Sequence, residues 1–170
     1  MNDQGFLILT NFEGCEEKLP DGTLRAYQDE GGVWTIGFGC THHVTPGLII
    51  TMDDAKARLA EDLQEFVGLL DHYLGPCKPN INANQYSAML SLLYNIGTLD
   101  FATSTLLNCV RMRHFDDAAK EFPRWCKEKG VRDKGLFRRR MAEQSLFNGD
   151  IESMEKYIND IHSVDVLFAP

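Results

Sequence analysis

The sequence has no CxxC pair, no HExxH motif and no apolar run near the ~18 residues of a membrane span. Its five cysteines (Cys15, Cys40, Cys77, Cys109, Cys126) are odd in number and widely spaced, so free, reduced thiols are expected. The histidines at 42, 43, 72, 114 and 162 show no metal-ligand spacing, so neither a metal nor a cofactor is expected. The opening MNDQGFLILTNFEG has a short apolar run, but Asp3 precedes it and no Lys or Arg does. It is a poor secretory signal, and the protein is expected to stay in the cytoplasm unless something else moves it. No repeat, low-complexity stretch or linker is evident.

What is present suits one globular domain, since 170 residues with 44% hydrophobic and 25% charged side chains can bury a core. The net charge of −8 is unevenly spread. Residues 1–80 carry 5 basic and 13 acidic groups, and residues 111–147 carry 11 basic and 6 acidic groups. The second region is either a solvated helical surface or a basic face that attracts an anionic polymer.

The periodicity predicts mostly helix with one small β region. Phe6, Leu9 and Phe12 share a face of a helix over 4–13, which Gly14 is placed to stop. LRAY and VWTIGFG are strand-like, with QDEGG as the turn between them. The clearest helix is 52–74, capped by Thr51, acidic at its start and ended by Gly75-Pro76. Its apolar stripe includes Leu59, Leu63, Phe66, Leu70 and Leu74. At ~1.5 Å per residue it is about 33 Å long, enough to bridge two lobes. NQYSAMLSLLYNIG (84–97) is nearly apolar all round and reads as a core helix. Helices near 104–114, 116–122 and 134–148 are expected around it, with a short one in the tail.

Chemistry concentrates near the first turn. Glu13 follows Phe12 at a helix end, and burial among apolar neighbours disfavours a carboxyl group's charged form. It is the candidate proton donor. Asp29 lies in a polar turn and is the candidate base or nucleophile, and Thr35 offers a hydroxyl to hold water. An acid, a base and a water-holding hydroxyl are the parts of a glycoside hydrolase. A Glu and an Asp sixteen positions apart in an acidic loop are more often merely solvated.

The surrounding words decide between these readings. FEGCEEKLPDGTLRAYQDEGGVWTIGFG resembles the signature of the phage lysozyme (endolysin) family, glycoside hydrolase family 24. The resemblance continues through PGLIITMDDAKARL, NANQYSAMLSLLYNIG, the F-x-x-STLL segment and RWCKEKGVRDKGLFRRRMAEQSLF, covering about residues 6–150. It implies an α+β, mainly helical, lysozyme-like domain. The N-terminal lobe would span about 12–51, an inter-lobe helix about 52–74, and a helical lobe about 76–170, with the N-terminal helix packed on the last. It implies a muramidase that cleaves the β-1,4 bond between N-acetylmuramic acid and N-acetylglucosamine in peptidoglycan. Glu13 would be the acid, Asp29 the carboxylate on the opposite face and Thr35 the water-placing hydroxyl. Thr41, Tyr94 and Ser104 would line the cleft. The expected partner is the glycan strand of peptidoglycan, with no nucleic acid and no stable membrane insertion. The enzyme would act as a monomer and wait in the host cytoplasm for a holin to open the way to the periplasm. The water between the carboxylates implies an inverting reaction.

Two departures stand out. The segment between Glu13 and Asp29 is several residues longer than in the shortest members, and Cys40 stands where the family usually has His. Of Arg138, Arg139 and Arg140, the family reading makes one structural and the others solvent-exposed. Trp34 and Trp125 are expected in the core rather than on sugars. A lytic transglycosylase needs only the Glu, and a non-catalytic wall-binding module needs neither carboxylate. The presence of Glu13, Asp29 and Thr35 together favours hydrolysis.

Overall fold

A computed structural model describes residues 1–15, 17–29 and 31–168. It divides into two compact units, Thr10–Glu65 and Met1–Leu9 with Phe66–Pro170. The division falls inside one helix, α2 (Met52–Leu74), and near the end of another, α1 (Asp3–Phe12).

The smaller unit holds four short strands, β1 (Leu24–Arg25), β2 (Tyr27–Gln28), β3 (Trp34–Thr35) and β4 (Ile49–Ile50). LRAY is therefore split rather than continuous. Leu24 and Arg25 pair antiparallel with Ile50 and Ile49, whereas Tyr27 and Gln28 pair with Thr35 and Trp34. The expected strand over 33–39 also ends early, at Thr35. Gly37 (φ +62) and Gly39 (φ +90) turn the chain back so that Ile36 bridges Cys40. A Cβ on Gly37 would lie 2.9 Å from that of Ala55 on α2, so only glycine lets this turn approach the helix. Leu24, Ile36, Phe38, Ile50, Ala55, Leu59 and Leu63 are buried in this unit.

The start of α2 is capped in both directions. Asp54 N–H donates to Thr51 Oγ1 (3.1 Å), while Asp54 Oδ2 accepts from Thr51 N–H and O–H. Those bonds hold the Asp54 carboxyl below its ordinary range.

The larger unit is helical. It contains α3 (Ala83–Ile96), α4 (Thr98–Ala102), α5 (Thr105–Arg111) and α6 (Phe115–Glu121). A hairpin of β5 (Lys127–Glu128) and β6 (Val131–Arg132) leads to α7 (Lys134–Asn148), α8 (Ile151–Asn159) and α9 (Asp165–Phe168). Seven successive residues of α3, Ser87 to Leu93, are buried, which is why its sequence is apolar on every side. Asn82 and Gln85 form its capping box.

Arg139 and Arg140 are both buried, contrary to the expectation of one structural arginine and two exposed ones. Glu143, one turn along α7, explains this. Its Oε1 accepts from Arg139 Nε (3.1 Å) and from Ser91 Oγ on α3 (2.7 Å), and its Oε2 lies 3.2 Å from Arg140 Nη1. Arg140 Nη2 also donates to Asn95 Oδ1 at 2.6 Å. A buried charge is tolerable only when paired, and Glu143 pairs with both guanidinium groups.

Candidate active site

The three candidate catalytic residues lie in the smaller unit. Helix α1 stops at Phe12, and Gly14 takes a positive φ of +68. Glu13 is half-buried between the helix end and that glycine turn.

Asp29 and Thr35 belong to one hairpin. The Asp29 N–H donates to the Val33 carbonyl (3.0 Å), and the Asp29 carbonyl accepts from Gly32 N–H (2.9 Å). Its side chain then ties the turn from outside. Oδ1 accepts from Gly31 N–H and from Val33 N–H, both at 2.9 Å. Two donors on one oxygen fix the carboxylate's orientation and leave Oδ2 for another donor. The residue as a whole stays exposed.

Thr35 sits opposite Tyr27 across the hairpin. Only 4% of it is exposed, and its hydroxyl donates to the Val33 carbonyl at 3.1 Å. The proton of that hydroxyl is committed, so Thr35 can still accept a hydrogen bond. Val33 thus links the two residues: its N–H binds Asp29 and its carbonyl binds Thr35. Tyr27 stands in the Tyr-x-Asp turn of the family signature, whereas Val33 acts through its backbone and leaves no signal in the sequence.

The remaining candidates are placed less closely. Thr41 is exposed just beyond the Ile36–Cys40 turn. Cys40, in the place of the family's usual His, is buried, and that burial pushes its thiol up. Arg58 Nη1 donates to the His42 carbonyl (3.0 Å) and approaches Cys40 Sγ at 4.0 Å, tying this loop to α2. Tyr94 and Ser104 lie in the helical unit. Tyr94 is half-buried and packs edge-on against Phe66, with ring centroids 5.0 Å apart. Ser104 is 4% exposed and caps α5, donating to the Phe101 carbonyl (2.8 Å) and accepting from Leu107 N–H (3.1 Å). Both roles are structural, leaving one lone pair for any other partner.

Residues 10–143 match the family model described as phage lysozyme. An endolysin of Acyrthosiphon pisum secondary endosymbiont phage 1 is 37% identical over 151 residues, covering 86% of this chain and 97% of that protein. An endolysin of Bacillus phage PZA is 35% identical over 151 residues, covering 87% of this chain but 55% of its own length. Among solved structures, the muramidase domain of SpmX from Asticaccaulis excentricus superposes with a TM-score of 0.74 at 30% identity, covering 86% of this chain and 95% of that one.

Proposed function

The chain belongs to the phage lysozyme family, and from that premise we propose that Glu13, Asp29 and Thr35 carry its chemistry. The enzyme is a lysozyme, a glycosidase that hydrolyses peptidoglycan. In this reading Glu13 protonates the glycosidic oxygen between N-acetylmuramic acid and N-acetylglucosamine as the bond breaks. Asp29 faces the other side of the sugar and takes a proton from the attacking water through Oδ2. Thr35 Oγ1 accepts a hydrogen bond from the water's other O–H, which stays bonded, and so holds its oxygen toward the anomeric carbon. The observation that carries this assignment is the Asp29 turn, where two backbone N–H groups on Oδ1 orient the carboxylate before substrate arrives. A transglycosylase needs only the acid/base Glu, whereas Asp29 and Thr35 together suit activation of a water.

Sugar contacts by Thr41, Tyr94 and Ser104 belong to the same reading, as do a two-lobed domain joined by 52–74, a monomeric enzyme and release from the host cytoplasm through a holin. The decisive variant is Glu13→Gln. It is expected to fold like the wild type and to clear permeabilised Gram-negative cells at least ~10²-fold more slowly, the scale of general acid catalysis. Retention of more than a tenth of the clearing rate removes Glu13 from this role.

A further inference from the structure

We propose that a pocket at the end of α2 in the helical unit binds a carboxylate of the wall's stem peptide, with Arg113 as its anchor. The proposal rests on the peptidoglycan reading above. The pocket has a volume of about 470 Å³ and is lined by His72, Tyr73, Pro76, Cys77, Arg111 and Arg113 among others. No carboxylate lines it among the described residues.

The two arginines have different tasks. Arg111 donates from Nε and Nη2 to the Tyr73 carbonyl, at 2.9 and 2.7 Å. It therefore satisfies the exposed end of α2, whose partial charge of roughly −0.5 offsets part of its own. Arg113 has no ion pair among the described residues, although Asp116 and Asp117 border a neighbouring hollow that it also lines.

Arg113 is one of four described non-glycine residues with a positive φ, beside Glu17, His43 and Lys129, and of these it alone lines this pocket. Its N–H donates to the Val110 carbonyl (3.0 Å), and the next N–H, of His114, reaches back to Cys109 (2.9 Å). These two bonds make a Schellman end to α5, with Arg113 in the left-handed position that glycine normally fills. Its φ is +63. A side chain kept there at a conformational cost, beside a pocket without a counter-ion, is placed for a ligand rather than for stability.

Charge and size select the ligand class. One uncommitted guanidinium can hold a single carboxylate through two parallel N–H···O bonds. The pocket is of ligand size and far larger than an isolated anion needs, and Tyr73 and Pro76 give it apolar walls. A short peptide bearing a carboxylate beside small side chains suits both features.

The test is an NMR titration of the full chain with three probes: a soluble stem tripeptide, the same peptide with its carboxylates amidated, and inorganic phosphate at matched ionic strength. The acid peptide is expected to shift the amides of Gly75, Cys77 and Arg113 saturably, and the other two probes are not. Arg113→Gly is expected to weaken peptide binding at least tenfold. It should also raise Tm by about 2–4 °C, because glycine relieves the left-handed backbone. Arg113→Lys keeps the charge without the planar fork and is expected to bind with intermediate affinity. Peptide affinity unchanged in Arg113→Gly, or equal shifts with phosphate, overturns the proposal. The titration reads no hydrolysis, so it can fail while the wild type still clears walls, and the clearing assay can fail while the peptide binds.

Discussion

Val33 contributes no side-chain chemistry, yet its peptide group joins the candidate base to the candidate water-holder. Gly37 stands close behind. It bends the chain just past Thr35 and admits the turn to within a methyl group of Ala55. Gly37→Ala forces a left-handed residue, costing about 1–2 kcal/mol, and adds a contact that neither backbone can readily relieve. Thermal unfolding is expected to show a Tm at least ~2 °C lower, with a matching loss of activity as Thr35 shifts. An unchanged Tm would mean that the turn has room to move.

Asp71 shows how separate elements are held together. It accepts from Lys78 (2.6 Å) in the turn after α2 and from Tyr86 O–H (2.9 Å) on α3. The Lys78 bond, with Tyr86 assisting, holds the Asp71 carboxyl below its ordinary range. A depressed folded value means the contribution is complete above the unfolded pKa of ~3.9 and fades as pH falls through the folded one. Tyr86 is pushed up, by burial first and by Asp71 second, so its share fades as pH rises beyond ~10. Asp71→Asn is expected to lower Tm at neutral pH by a few degrees at most, since the pair is half exposed, and to match wild type near pH 2. Melting curves across pH 2–7 check this; a constant gap would assign the loss to packing.

The long elements were legible in the sequence and the short ones were not. α2 and α7 fall on 52–74 and 134–148 as expected, because periodicity, caps and a closing glycine agree over many residues. The β5–β6 hairpin escaped notice. Its residues, Lys127, Glu128, Val131 and Arg132, are all exposed and carry no alternating pattern. The turn is made instead by positive φ at Lys129 and Gly130. The tail forms two helices where one was expected. The candidates Glu13, Asp29 and Thr35 come from a motif in the sequence, whereas Arg139 and Arg140 became interpretable only once Glu143 and Ser91 were seen to meet them.

At the scale of the whole molecule the −8 charge hides a basic segment, but structure has already claimed much of it. Arg139 and Arg140 are internal, Arg111 caps α2, and Lys120, Arg124 and Lys134 have acidic partners. Besides Arg113, the exposed Lys127 and Lys129 of the hairpin have no ion pair among the described residues and are free to meet an anionic wall. Reversing both to Glu is expected to slow clearing a few-fold at low salt and to flatten its salt dependence, since exposed charges are screened beyond ~10 Å at 0.1 M. An unchanged salt profile would make the hairpin a solvated surface.

The central claim is that water, held opposite Glu13 by Asp29 and Thr35, attacks the glycosidic bond. Mass spectrometry of purified peptidoglycan digested with the enzyme tests it most directly. The account predicts muropeptides with ordinary reducing ends, and with Asp29→Asn far fewer of them while wall binding persists. Muropeptides one water lighter, ending in 1,6-anhydromuramic acid, would contradict it.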